Sequence, residues 1–250
     1  MQQAAHPDIP EASSRLYVKI GILCSLAVMM DGFDAQAMGF VAPSLLAEWH
    51  ITRVALSPIL SSGLVGMLAG ALLFGPLGDR LGRKRVLVLC TLWFAAGSLL
   101  TARAHTVETM LWLRLVTGFG LGGAMPNATA LTAEYMPRRL RATGVMLMFC
   151  GFSMGAAIGG FVAAGIINRY GWPAVFIVGG ILPCIVSVFL LGLPESIRFL
   201  QERKTGFPVT QLFTEGRART TLLLWVMFFI FFLTINANNR LDAEGASLHN

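Results

Sequence analysis

The run Gly75-Pro76-Leu77-Gly78-Asp79-Arg80-Leu81-Gly82-Arg83-Lys84-Arg85 lies between two apolar stretches, each long enough to cross a lipid bilayer. A charged side chain at the centre of a bilayer costs about 2.5–3.5 kcal/mol or more. Asp79, Arg80, Arg83, Lys84 and Arg85 must therefore sit outside the hydrocarbon. The interspersed glycines predict a tight polar turn that folds one span back beside the next. The segments on either side of this turn are thereby constrained to span a membrane.

Composition agrees. Hydrophobic residues make up 55% of the chain and charged residues 13%, with a mean hydropathy of +0.68; a soluble domain carries about 25% charged residues. A helix needs about 20 apolar residues to cross, and such stretches run roughly over 20–41, 56–77, 86–104, 110–133, 143–167 and 173–193. Lipid offers no partner to backbone amides, so spans are helices or a closed barrel, and the ten-residue alternation of barrel strands does not occur here. The predicted fold class is an all-α membrane protein built on a six-helix bundle. A seventh apolar segment starts near Thr221 and supplies about 15 residues, about 22 Å, too short to cross. The expected organisation is a polar tail over 1–19, the bundle over 20–193, a central loop over 194–219, and a truncated seventh helix with a polar tail over 220–250.

Orientation follows from the cations. With the amino terminus inside, inner segments hold most of the 19 Lys and Arg residues, whereas the outer loops hold Arg53, Arg103 and Arg169. That bias is the positive-inside pattern. It accounts for the net charge of +6 without a nucleic-acid partner. The expected location is a bacterial inner membrane, multi-pass, with a cytoplasmic amino terminus. The first apolar segment is full length and contains acids, unlike a cleaved signal, and is expected to remain as a helix. Cys24, Cys90, Cys150 and Cys184 fall in spans without C-x-x-C spacing, so they are expected to be buried thiols rather than a disulfide or metal site.

Asp31 and Asp34 are the only acids well inside a span, and at a spacing of three they share a helix face. They would lie in an outer loop only if the first span ended near Met30, and residues 35–41 remain mostly apolar. Two neighbouring carboxylates suit proton handling. Arg114, in the fourth span, reaches a similar depth, either to pair with these acids, to meet an anionic solute, or to snorkel outward. Gly118, Gly120 and Gly122 follow it, and Gly151, Gly155 and Gly159 recur every four residues in the fifth span; both sets predict close helix packing. No nucleophile–base pair, metal cluster or nucleotide loop is visible, so the chain is not expected to be an enzyme or to hold a metal or cofactor.

The pattern G-x-x-G-D-R-x-G-R-[KR] across residues 75–84 resembles the helix 2–3 loop of the major facilitator superfamily. With Asp31-Gly-Phe-Asp34, Arg114 to Gly122, Met125-Pro-Asn-Ala-Thr129, Glu134-Tyr-Met-Pro137 and Leu193-Pro-Glu-Ser-Ile-Arg-Phe199, the chain resembles the aromatic acid:proton symporter family, and its 4-hydroxybenzoate/protocatechuate transporters most. The resemblance implies the amino-terminal half of a twelve-helix secondary transporter, with the carboxy-terminal six-helix half as its missing partner. It implies proton-coupled uptake of an aromatic carboxylate. Asp31, Asp34 and Arg114 would serve protons and substrate, and Gly75, Gly78, Asp79, Arg80, Gly82, Arg83 and Lys84 would form a gating loop. Alternatives are a non-transporting truncated remnant or half-protein, and a sugar or other organic-solute porter of the same superfamily. A lone half is expected to turn a cavity face bearing Asp31, Asp34 and Arg114 toward lipid.

Overall fold

The structure, a computed structural model, describes residues 14–201. Six long helices follow one another: α1 (Ser14–Trp49), α2 (Arg53–Leu81), α3 (Arg83–Thr101), α4 (Val107–Tyr135), α5 (Arg141–Tyr170) and α6 (Pro173–Leu191). A short helix, α7 (Ile197–Gln201), ends the described segment, which contains no strand. The seventh apolar segment and most of the expected central loop lie outside the described residues.

Five of the six long helices are long and apolar enough to cross a membrane. The exception is α4, at 29 residues. It has the length but falls short in hydropathy. Its buried face carries Arg114, Thr117, Asn127, Thr132 and four glycines between Gly118 and Gly123, and it packs against α1, α2, α3 and α5. A helix surrounded by other helices can keep polar groups that lipid would reject.

The polar turn is shorter than expected. Residues 75–81 are helical and form the last two turns of α2, while α3 starts at Arg83. Only Gly82 leaves the helix, with φ 100°. A side chain is disfavoured there twice over, by the backbone and because its Cβ would lie 2.5 Å from the Glu195 carboxyl carbon. The charged run is therefore two helix ends meeting at one glycine.

Helix packing repeats itself. α2 packs on α4 as α5 packs on α1, α3 packs on α4 as α6 packs on α1, and α3 and α6 meet each other. This is the contact pattern of two three-helix units, α1–α3 and α4–α6, exchanged by a pseudo-twofold axis. Small residues make both large contacts. A Cβ at Gly118 or Gly122 would collide with backbone of α2, at the carbonyls of Gly63 and Met67. One at Gly155 would strike the Met29 carbonyl of α1, with Gly151 against Ser25 and Gly159 against the Phe33 ring. Gly120 turns instead to α3, where its Cβ would lie 2.8 Å from the Phe94 amide. Lipid tails are as apolar as leucine, so such close backbone approach, rather than hydrophobic exclusion, holds the helices together.

The glycine ridge also explains the cysteines. All four are free; Cys24 and Cys90 are buried, but Cys150 is exposed and Cys184 partly so. The expectation of four buried thiols fails at Cys150, because α5 buries Gly151, Gly155 and Gly159 and turns the adjacent Cys150 to the bundle surface.

Gly122→Ala or Gly155→Ala should force backbone apart and destabilise the bundle by about 1–3 kcal/mol. Gly165→Ala, where an added Cβ meets nothing within 4 Å, should be neutral or stabilise by about 0.5–1 kcal/mol through helix propensity. Thermal unfolding in detergent checks the pair; equal losses at all three positions would refute the backbone-contact account.

Candidate functional site

Along α1, Ile20 to Met30 belong to one apolar cluster and Phe33 to Leu45 to another. Asp31 and Asp34 stand at the seam between them, both fully buried. α1 is continuous from Ser14 to Trp49, so the acids lie inside the helix and not in a loop. Gly32, between them, lets the Phe152 carbonyl of α5 approach; a Cβ at that position would collide with it.

The two carboxylates differ in surroundings. Asp34 Oδ2 accepts from Arg114 Nη1 of α4 at 3.0 Å, and Arg114 Nη2 donates to the Asp34 carbonyl oxygen at 3.1 Å. Asp34 Oδ1 accepts from Ser98 Oγ of α3 at 2.9 Å, and Ser98 Oγ also lies 3.1 Å from the Phe176 carbonyl oxygen of α6. The Phe176 ring lies under the Arg114 guanidinium, 5.7 Å from Cζ to the ring centroid, and edge-on to Trp172. Four helices thus converge on one carboxylate. Both oxygens of Asp31 are buried and accept no hydrogen bond among the described residues. Arg114 is only 4% exposed, so it neither snorkels nor turns toward lipid. The expected lipid-facing charged surface is corrected accordingly: all three side chains point into the bundle, where Asp34 compensates the cation.

The residues expected to gate lie at one end of the bundle, far along α2 from this seam. Asp79 Oδ1 accepts from Arg83 Nη2 at 2.8 Å and from Nε at 3.2 Å. Arg83 Nη1 reaches Glu134 Oε1 of α4 at 2.9 Å, so one guanidinium bridges two carboxylates. Glu134 Oε2 accepts from Ser196 Oγ at 2.5 Å. Glu195 Oε1 accepts from the backbone N–H of Lys84 at 2.9 Å, which ties the first turn of α3 to the segment after α6. Tyr135 Oη donates to the Glu195 carbonyl at 2.6 Å. Gly78 packs directly on the Asn127 side chain, whose Nδ2 donates to the Phe74 carbonyl at 3.0 Å. A Cβ added at Gly75 would meet nothing within 4 Å. Arg80 lies in the last turn of α2, exposed at the same end of the bundle.

Sequence reasoning paired Arg114 with the acids as one option, and that is the geometry found. It missed Ser98 and Phe176, and it quoted Glu134 and Glu195 for resemblance without seeing that they meet Arg83 and Lys84. A lone serine in an apolar span carries no signal, since most bond their own helix backbone, as Ser187 bonds the Pro183 carbonyl. The carboxylates at 134 and 195 did carry one: each is an acid near a span end, at the end where the cations of 83–85 gather.

Comparison with known proteins gives this arrangement a setting. The chain is 50% identical over 194 residues to the 4-hydroxybenzoate transporter PcaK of Pseudomonas putida, covering 77% of this chain and 43% of that protein. It is 41% identical over 246 residues to a gallate transporter of the same species, covering 86% of this chain and 55% of the relative. The chain thus spans about half the length of the curated relatives it matches. Among solved structures, the proton:xylose symporter XylE superposes with a TM-score of 0.66 at 21% identity, covering 84% of this chain and 49% of that one; that likeness shows the fold. The Major Facilitator Superfamily pattern matches residues 24–242, and the chain belongs to that superfamily.

Proposed function

We propose that these residues form the amino-terminal half of a secondary transporter that takes up an aromatic carboxylate, of the 4-hydroxybenzoate or related benzoate class, together with protons. The observation that carries the reading is the buried Asp34–Arg114 pair beside an uncompensated Asp31. Relatives named as 4-hydroxybenzoate and gallate transporters support the substrate class. The relatives are about twice as long as this chain, so the activity is assigned to a twelve-helix assembly whose partner is a second six-helix half. The chemistry is non-enzymatic and needs no cofactor.

In this reading Arg114 is the anchor for the solute carboxylate, and Asp34 holds that place while the site is empty. Removing one partner of a buried ion pair costs about 3–5 kcal/mol, because the other charge stays buried alone. A solute anion can therefore take Arg114 only if Asp34 becomes neutral at the same time. A proton does this, so pairing and coupling are one device. Asp31, one helical turn away on the same face, is a second proton-binding position with no cation paired to it among the described residues. The basic end, with its excess of Lys and Arg, faces the cytoplasm of a bacterial inner membrane. There Asp79, Arg83 and Glu134 latch α2 to α4, with Asp79 turned toward a helix end of the second half. In this reading the domains are a tail, from whose last residues α1 already starts at Ser14, the bundle over 20–193, a central loop over 194–219, and a truncated seventh helix with a polar tail over 220–250.

Two predictions test this. In the chain joined to a second half, Asp31→Asn should reduce proton-driven accumulation of 4-hydroxybenzoate at least tenfold while insertion persists, since losing an unpaired midspan charge eases insertion. Asp34→Asn should reduce it as much, with an added loss of stability of about 3–5 kcal/mol from leaving Arg114 buried alone. Accumulation in vesicles with an imposed proton gradient measures it; accumulation retained in both variants would sink the proton-carrier role. At the latch, Arg83→Ala leaves the Glu134 carboxylate without its cation and should destabilise the bundle by about 3 kcal/mol. Arg83→Lys should recover less than half of that, because a single nitrogen cannot replace the separate nitrogens by which the guanidinium reaches Asp79 and Glu134. Thermal unfolding of both variants decides it, and full recovery by lysine would reduce the latch to a point charge.

A further inference from the structure

The Ser98 hydroxyl has one hydrogen and two acceptors in reach. Its Oγ lies 2.9 Å from Asp34 Oδ1 and 3.1 Å from the Phe176 carbonyl oxygen, and the side chain is fully buried. It cannot donate to both at full strength. The hydrogen therefore follows the state of Asp34. When Asp34 is ionised it is acceptor-only, and the hydroxyl donates to it. When Asp34 carries a proton on Oδ1, the acid O–H donates to Ser98 Oγ, and the hydroxyl turns its own hydrogen to the Phe176 carbonyl. Every group keeps a partner in both states. No bond forms or breaks at Ser98; the only proton exchanged is the one that Asp34 gains or loses.

The geometry points to Ser98 as a positioning residue, a hydroxyl rotor that accommodates both protonation states of Asp34 and passes that state from α1 to α6. The inference rests on the proposed role of Asp34 in proton coupling and adds how the proton is registered elsewhere in the bundle. The charged or titratable groups around the rotor are Asp31 on α1, three residues before Asp34, and Arg114 on α4; α3 and α6 offer hydroxyl, backbone and ring. The recipient is apt. Phe176 belongs to α6, and its ring faces Arg114, so a change in the hydrogen bond to residue 176 acts on the helix whose ring covers the cation. Room for the rotor comes from Gly179, where an added Cβ would stand 3.2 Å from Ser98 Oγ.

Infrared difference spectroscopy of the chain in lipid vesicles, taken across a pH titration, tests the rotor directly. The protonated carboxyl of Asp34 gives a C=O stretch, assigned as the band that Asp34→Asn removes. Ser98→Ala should shift that band toward the frequency of an acid lacking its acceptor, and Ser98→Thr, which retains the hydroxyl, should restore it. A 13C label on the Phe176 carbonyl should reveal a band that moves with Asp34 protonation in the parent chain and stays fixed in Ser98→Ala. An unshifted Asp34 band in Ser98→Ala, or a Phe176 carbonyl indifferent to pH, overturns the rotor while leaving Asp34 as a proton carrier. If Asp34→Asn removes no titrating band at all, the carrier reading fails and the rotor with it. Should Ser98→Thr be too bulky for the site, Ser98→Cys supplies a smaller, weaker donor and should give an intermediate shift; a band in Ser98→Cys identical to that in Ser98→Ala would count against the rotor.

Discussion

A guanidinium buried at the seam of the bundle cannot be left alone, and the helices are arranged around that requirement. Arg114 meets Asp34 through both its side-chain oxygen and its backbone carbonyl. It thereby fixes α4 against α1 in depth and in rotation. Two hydrogen bonds from one guanidinium specify an orientation that a single contact would not. α3 and α6 complete the enclosure through Ser98 and the Phe176 ring. A pair like this contributes little net stability after its desolvation cost. What it contributes is registry: with Arg114 turned away from Asp34, two charges would stand buried and unpaired.

The glycines make that registry attainable. Gly118 and Gly122 leave α4 no side chain toward α2, and Gly155 leaves α5 none toward α1, so backbones touch on both sides of the seam. The pseudo-twofold pattern places α1 and α4 in equivalent positions of their units, which is how an acid on one and a cation on the other come to face each other. The ends are held by a different principle. Around Gly82, charges are satisfied in a partly exposed cluster that draws on α2, α3, α4 and the segment after α6. Asp79 and Arg85 of this cluster are partly open to water, Glu134 is nearly buried, and the charges of the seam are enclosed altogether.

Much of this was legible in the residues. Six long helices and their order follow from the apolar stretches and the polar breaks between them, their helical nature from the lack of strand alternation, and the small-residue ridge on α5 announced its contact through its four-residue period. The polar run misled in one respect. Glycines and charges together read as a turn, yet residues 75–81 continue α2, because helix ends that project beyond the lipid can carry charge without unwinding. Cys150 misled for a related reason: position within a span says nothing about which way a side chain faces, and its glycine neighbour took the buried side. Ser98 was beyond reach. Its role depends on α1 and α6 arriving at the same point, 64 and 78 residues away in sequence, and nothing in its own neighbourhood marks it.

The placement of the charges bears on how such a half can work. With Asp34 already on Arg114, the resting bundle carries no free cation at the seam, so an anion arriving there meets a neutral pair and gains nothing until the pair is opened. On the proposed function, opening requires a proton, and the proton by itself leaves Arg114 buried with no anion. Either ligand alone therefore leaves an uncompensated charge in an apolar interior, at a cost of several kcal/mol. Both together leave neither member of the pair uncompensated. Coupling of this kind needs no long-range pathway, because the two ligands compete for opposite members of a single ion pair, and the free energy that links them is the cost of leaving one member alone.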